Sequence, residues 1–242
     1  MLRRTVVLIA VLTAHANAQS TQSGGAGPPH PDGRLLRLTT DSLEVYVVRH
    51  GQAQRTGLIV DRLDTARVNG EVVLRRVYRT DDAVLGFSLD TLIDVLPDLH
   101  ARSVRTAGSR AIEELDWKAD RVTGTVEQQG KAERGIDERV PEGGGYSFAS
   151  FDVILRASPL ADGYAVAVPA FSGQEGAAVL TARVVGSEDV SGYGDTWRVD
   201  ADFSGMSVSF WISKTSRRLV RQVMRIAPGA EIHFIAPRRA AA

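Results

Sequence analysis

Five consecutive residues carry side-chain types that could act on a phosphate: Val48-Arg49-His50-Gly51-Gln52, at the end of the apolar run of residues 43–48. A histidine at a strand end can attack phosphorus, an adjacent arginine can hold the phosphate, and a glycine lets the loop approach closely. The same chemistry asks for a second histidine beside the transferred group and for further arginines. His100 and His233 are the other histidines in patterned sequence, and both fall in or beside β-patterned runs. Ser209 and Ser216 lack a positioned base and a G-x-S-x-G elbow. Glu113 alternates away from Glu114 and Asp116, so the three read as strand residues with a solvated face. The run Gly143-Gly144-Gly145 has no following Lys-Ser/Thr, which makes it a loop and not a phosphate cradle. Histidines are too scattered for a zinc site, and cysteine is absent, which excludes disulfides, thiolate metal sites and a cysteine nucleophile. No catalytic, metal-binding or cofactor set is assigned.

The Arg-His-Gly motif resembles the opening signature of the histidine phosphatase and phosphoglycerate mutase superfamily. That superfamily is α/β with several long helices, whereas this chain offers one short helical stretch. A phosphoryl hydrolase using Arg49, His50 and Gly51 is therefore the alternative reading, and a strand end with a solvated Arg-His pair is the expected one.

Apolar side chains on strand faces are the other candidates. Trp117, Trp197, Phe203, Phe210 and Met224 share the apolar phase of their strands, while Trp211 lies among Ser207, Ser209 and Ser213. On a curved sheet that stays open, those five would line a cleft for an apolar small molecule, a lipid or a hydrophobic peptide. In a sheet that closes tightly they would be ordinary core of a structural or interaction domain.

The elements that must position these residues are mostly strands. In residues 195–235, Trp197, Val199, Ala201 and Phe203 alternate with polar residues, Ser204-Gly205 breaks the run, and Val208, Phe210 and Ile212 repeat it. A polar turn at residues 214–217 leads to Val220, Met224 and Ile226, and Pro228-Gly229 turns the chain into Ile232 and Phe234. That is a four-stranded antiparallel meander, wet on one side. Upstream, Asn69-Gly70 predicts a hairpin of residues 61–68 with 71–79, because both turn positions tolerate positive φ. Residues 109–126 predict another hairpin with Leu115 and Trp117 on one face. Residues 128–139 are charged and read as a long exposed hairpin arm or a loop. The sole convincing helix covers residues 147–155, capped by Ser147 and ended by Ser158-Pro159. The total is about eleven strands and one helix, a mostly β chain.

Length and composition fit one domain: 242 residues with 29 basic and 29 acidic side chains. Balanced charge argues against a nucleic-acid partner. Arg3-Arg4, the apolar residues 5–13 and Ala16-Asn17-Ala18 form a signal peptide over residues 1–18, with cleavage expected before Gln19. The apolar run is half the roughly 20 residues that a span needs, so no transmembrane segment is expected. Export would place the protein in the periplasm or outside the cell. Residues 19–33, rich in Gly, Ser and Pro, read as a flexible linker, residues 34–237 as the domain, and 238–242 as a disordered tail.

The order of elements resembles domain-of-unknown-function family 3108, a family of exported bacterial proteins. The resemblance rests on Asp90-Thr91-Leu92 through Leu96-Pro97 to Arg102, on Leu115-Asp116-Trp117 with Arg121-Val122-Thr123-Gly124, and on residues 151–160 with Gly163-Tyr164. Phe210-Trp211-Ile212-Ser213 with Arg218-Leu219-Val220 completes it. It implies an open antiparallel β half-barrel, similar to periplasmic lipoprotein chaperones, with the short helix against the open side. It also implies that residues 88–108 are strands, although Leu89, Leu92, Ile93 and Leu96 fit helical spacing. It brings no activity and no catalytic residues.

Overall fold

The computed structural model describes residues 30–140 and 145–237. The signal peptide, most of the expected linker and the C-terminal tail lie outside these residues. At the end of that linker, Pro31 and Gly33 are buried, and the Asp32 and Gly33 amides donate to the carbonyls of Ala157 and Pro97.

The first hairpin runs from β1 (Thr40–Arg49) to β2 (Gln52–Val68), and β3 (Glu71–Asp82), β4 (Gly86–Val95) and β5 (His100–Gly108) continue the meander. Then follow β6 (Ala111–Lys118), β7 (Arg121–Gln128) and β8 (Arg134–Arg139). After the short β9 (Tyr146–Ser147), a 3-10 turn at Phe148–Ser150 leads into α1 (Phe151–Arg156). The chain returns through β10 (Ala165–Ser172), β11 (Gly176–Val190), β12 (Gly194–Phe203), β13 (Met206–Ser213), β14 (Leu219–Ala227) and β15 (Ala230–Ile235).

These fifteen strands form one sheet in the order 8-7-6-5-4-3-2-1-15-14-13-12-11-10-9. All pairs are antiparallel except β9 with β10. Among the described residues the fold is thus mostly β with one short helix, and the strand count exceeds the eleven expected from sequence. Residues 134–139 account for part of the difference. They form a regular strand paired with β7, the hairpin arm of the two expected alternatives, because Ile136 is buried while its charged neighbours face water. The expected helix of residues 147–155 is likewise split, its first turn being 3-10 and its α-helical part only six residues long.

Fifteen strands laid flat would span roughly 70 Å at near 4.8 Å spacing. Yet β8 ends at Arg139 and β9, at the opposite edge, begins at Tyr146. A connection of that length reaches at most about 25 Å, so the sheet must roll up. Its ends do not pair with each other, and the cylinder stays open in hydrogen-bonding terms. Phe171 of β10 meets Trp117 of β6 edge-on at 6.1 Å, joining the two margins through a second apolar cluster with Leu92, Val104, Leu115 and Ile136. The main core fills the rest of the concave face.

The tight turns follow from residues that accept positive φ. Asn69-Gly70 takes φ of 52° and 87°, as expected for a type I′ hairpin. His50-Gly51 takes φ of 49° and 79°, the same geometry, and joins β1 to β2.

Candidate functional site

The segment Phe148–Arg156 plugs the concave face. The Ser147 hydroxyl accepts the Ala149 amide at 3.2 Å and sets its start. Phe148 stacks on Phe203 at 4.5 Å, and Phe151 meets Phe210 edge-on at 5.2 Å. Every residue of α1 is buried, including Asp152 and Arg156. A helix enclosed on all sides cannot leave its charges to water, so they must be paired inside.

The pairing comes from β2 and β3. Arg76 donates from Nε and Nη2 to both oxygens of Asp61, at 2.8 and 3.0 Å, and from Nη1 to Asp152 Oδ1 at 2.7 Å and the Ala149 carbonyl at 3.0 Å. Arg156 lies 3.6 Å from both Asp61 and Asp152, and its Nε donates to the Arg217 carbonyl at 3.0 Å. Two guanidinium groups and two carboxylates therefore cancel in a space where side-chain exposure does not exceed 9%. Burial opposes the charge on Arg76, but Asp152 and Asp61 outweigh it and hold the group protonated.

A second buried carboxylate is left half satisfied. Asp94 is 1% exposed; its Oδ2 accepts from the Ser150 hydroxyl at 2.9 Å, and its Oδ1 has no partner among the described residues. Burial pushes its carboxyl up to about 7, against the opposing Ser150 hydrogen bond and the charge of Arg76.

Between the plug and the rolled sheet lies a cavity of about 190 Å³. Tyr78, Asp90 and Leu92 wall it from β3 and β4; Val208, Phe210, Gln222 and Met224 face them from β13 and β14. Phe148, Phe151 and the Arg76–Asp152 pair close the plug side. Tyr78, Asp90, Gln222 and Met224 are only half-buried, so the cavity opens between the two walls. A larger depression of about 900 Å³ lies over β10–β15, where Arg198 and Arg221 lie over the Trp211 ring. Many of its side chains are charged, and its arginines and acids largely pair: Arg198 with Glu188 and Asp200, Arg225 with Glu231.

The family model of proteins of unknown function designated DUF3108 matches residues 63–234. The chain belongs to DUF3108. The matched stretch of this DUF3108 member starts within β2, so β1 lies outside it although β1 joins the two halves of the sheet. A solved structure similar to it is the β-barrel-like protein of domain of unknown function DUF1849 from Brucella abortus. The two are 10% identical with a TM-score of 0.51, covering 84% of this chain and 98% of the other. That likeness is one of fold alone. No curated protein matches the chain.

Of the five apolar candidates, the fold brings two to the cavity, Phe210 and Met224. Phe203 packs beneath Phe148 at 1% exposure, and Trp117 belongs to the second cluster. Trp197 sits under the Lys214 ammonium, 3.9 Å from its ring centroid. The five do not form one cleft, because the plug covers the middle of the face they share. His50 is an exposed turn residue whose amide donates to the Gly229 carbonyl. Neither other patterned histidine is its neighbour: His100 packs on Tyr146, and the His233 ring bonds Glu231.

The residues missed from sequence are Asp61, Arg76, Tyr78, Asp90, Asp94, Asp152, Arg156 and Gln222. A signal for some of them was present. Asp61 shares the phase of Ile59 and Leu63, Arg76 that of Leu74, and Asp94 that of Leu92, all buried. A charge in the apolar phase of a strand must be paired inside.

Proposed function

We propose that this protein is an exported, non-catalytic binding module whose cavity under the plug receives one small apolar group of a ligand or partner. The observation that carries the reading is the cavity itself, about 190 Å³ and walled by Leu92, Phe148, Phe151, Phe210 and Met224. A cavity of about 150 Å³ holds benzene, whereas drug-sized ligands need about 300–1,000 Å³. One ring or a short branched chain fits; a whole acyl chain does not.

Toluene added to the mature domain is expected to bind, with chemical-shift changes centred on Phe151, Phe210 and Met224. Met224→Trp, which fills the mouth, is expected to abolish them while the domain stays folded. Toluene that leaves the spectrum unchanged would remove the cavity reading and leave a structural or interaction domain.

Two further expectations accompany the reading. Export follows from Arg3-Arg4, the apolar run and Ala16-Asn17-Ala18. Mass spectrometry of the mature protein should find an N-terminus at or within a few residues of Gln19, and an intact Met1 in the cytosol would end that idea. The exposed turn geometry of His50 supports the non-catalytic reading. No hydrolysis of p-nitrophenyl phosphate is expected; turnover that vanishes in His50→Ala would restore the phosphatase alternative.

A further inference from the structure

We propose that the cavity recognises a neutral amide carried on a ring-sized apolar group, with Tyr78 and Gln222 as the hydrogen-bonding partners of that amide. The inference rests on the binding reading above and specifies its ligand. Gln222 is the anomaly that prompts it. Its register partner on β13 is Phe210 and on β15 is Phe234, both buried, so an amide stands in a row of core residues. Its side chain makes no hydrogen bond to any described residue. The Tyr78 hydroxyl on the facing wall makes none either; the protein touches that ring through the Arg76 guanidinium, 4.5 Å from its centroid.

The other polar groups of the cavity are committed. Arg76 and Asp152 bond to each other and to Asp61, and Asp90 accepts from the hydroxyls of Ser88 and Thr106. What remains free is one amide, with a donor and an acceptor side, and one hydroxyl. Burial raises the Tyr78 phenol, so the hydroxyl keeps its proton and can donate. A ligand carbonyl and N–H together complement this pair.

Charge decides against an anionic head group. The two arginines and two aspartates behind the cavity already cancel, and Asp90 adds to the wall a carboxylate without an ion pair among the described residues, so an entering carboxylate would meet no counter-charge. A bare hydrocarbon would fill the space but displace water from Gln222 and Tyr78 without replacing its hydrogen bonds. A neutral amide on a ring satisfies both conditions. It can come from a small aryl or alkyl amide, or from an apolar residue with its peptide bond.

The test titrates the mature chain with benzamide, benzoate and toluene, following chemical shifts. Benzamide is expected to bind about tenfold or more tightly than either of the others. Gln222→Met and Tyr78→Phe should each bring benzamide toward the affinity of toluene and leave toluene unchanged. Both variants should unfold at the wild-type temperature, since phenylalanine keeps the Tyr78 ring over which Arg76 lies, methionine is close to glutamine in size, and neither original side chain hydrogen-bonds to a described residue. N-acetyl-phenylalanine methylamide binding more tightly than benzamide would assign the amide to a peptide, and the reverse order to a small molecule. Toluene binding as well as benzamide, or benzamide indifferent to both substitutions, would overturn the amide assignment while the cavity reading stands. Failure of every probe would overturn the cavity reading itself.

Discussion

Arg76→Met is expected to lower the unfolding free energy by about 3–5 kcal/mol, the range for removing one partner of a buried ion pair. Methionine fills much of the same volume, so lost packing is a minor part of the effect. What dominates is the charge left behind. Asp61 and Asp152 would face only Arg156, at 3.6 Å from each, in place of the 2.7–3.0 Å hydrogen bonds from Arg76. The Ala149 carbonyl would also lose its donor, which loosens the start of the plug. Urea denaturation gives the measurement. Combining Arg76→Met with Asp152→Asn should recover part of the loss, because one negative charge then faces one positive charge. A loss below about 1 kcal/mol, the size of an exposed pair, would show that water reaches the network.

Asp94→Asn is expected to change the pH dependence of stability more than its value in acid. The carboxyl is near 7 in the folded protein against an ordinary 3.8, so folding favours the protonated form. Its favourable contribution is fully present below about pH 4 and is lost as pH rises through about 7. The loss is of the order of 4 kcal/mol for a shift of this size at a fully buried group. Asparagine keeps an acceptor for the Ser150 hydroxyl and cannot ionise. The variant should therefore match the wild type near pH 4 and exceed it at pH 8. Asp90 and Glu113, also raised by burial, carry the same sign in both proteins and cancel in the comparison. Parallel stability curves for variant and wild type would show that Asp94 is not desolvated in the folded state.

Both experiments probe the plug, and the plug is the part of the molecule that strand patterning conveys least. The type I′ turns at Ser204-Gly205, between β12 and β13, and at Asn69-Gly70, between β2 and β3, mark strand ends. Alternation is legible in the second half of β12 and in β15, where successive residues turn to the core and away from it. The same rule leaves β8 undecided between a hairpin arm and a loop, because Ile136 alone marks the buried face among five charged or glycine residues. At His50 it leaves two readings open, because a histidine in a type I′ turn and one at a catalytic strand end look alike in a short motif; His50 is an exposed turn residue. Aromatic phase correctly placed Trp117, Phe203 and Phe210 on the inner face. Phase says which face a side chain takes, but not what lies opposite.

Local sequence determined the strands, their turns, the antiparallel meander and the position of one helical segment, because each depends on neighbours a few residues away. Only the tertiary structure decided that β1 pairs with β15, that the sheet rolls until Phe171 meets Trp117, and that residues 148–156 fill its concave face. These contacts join residues far apart in the chain. The network of Asp61, Arg76, Asp152 and Arg156 exists only where three distant segments meet, since a buried charge is stable only beside its partner.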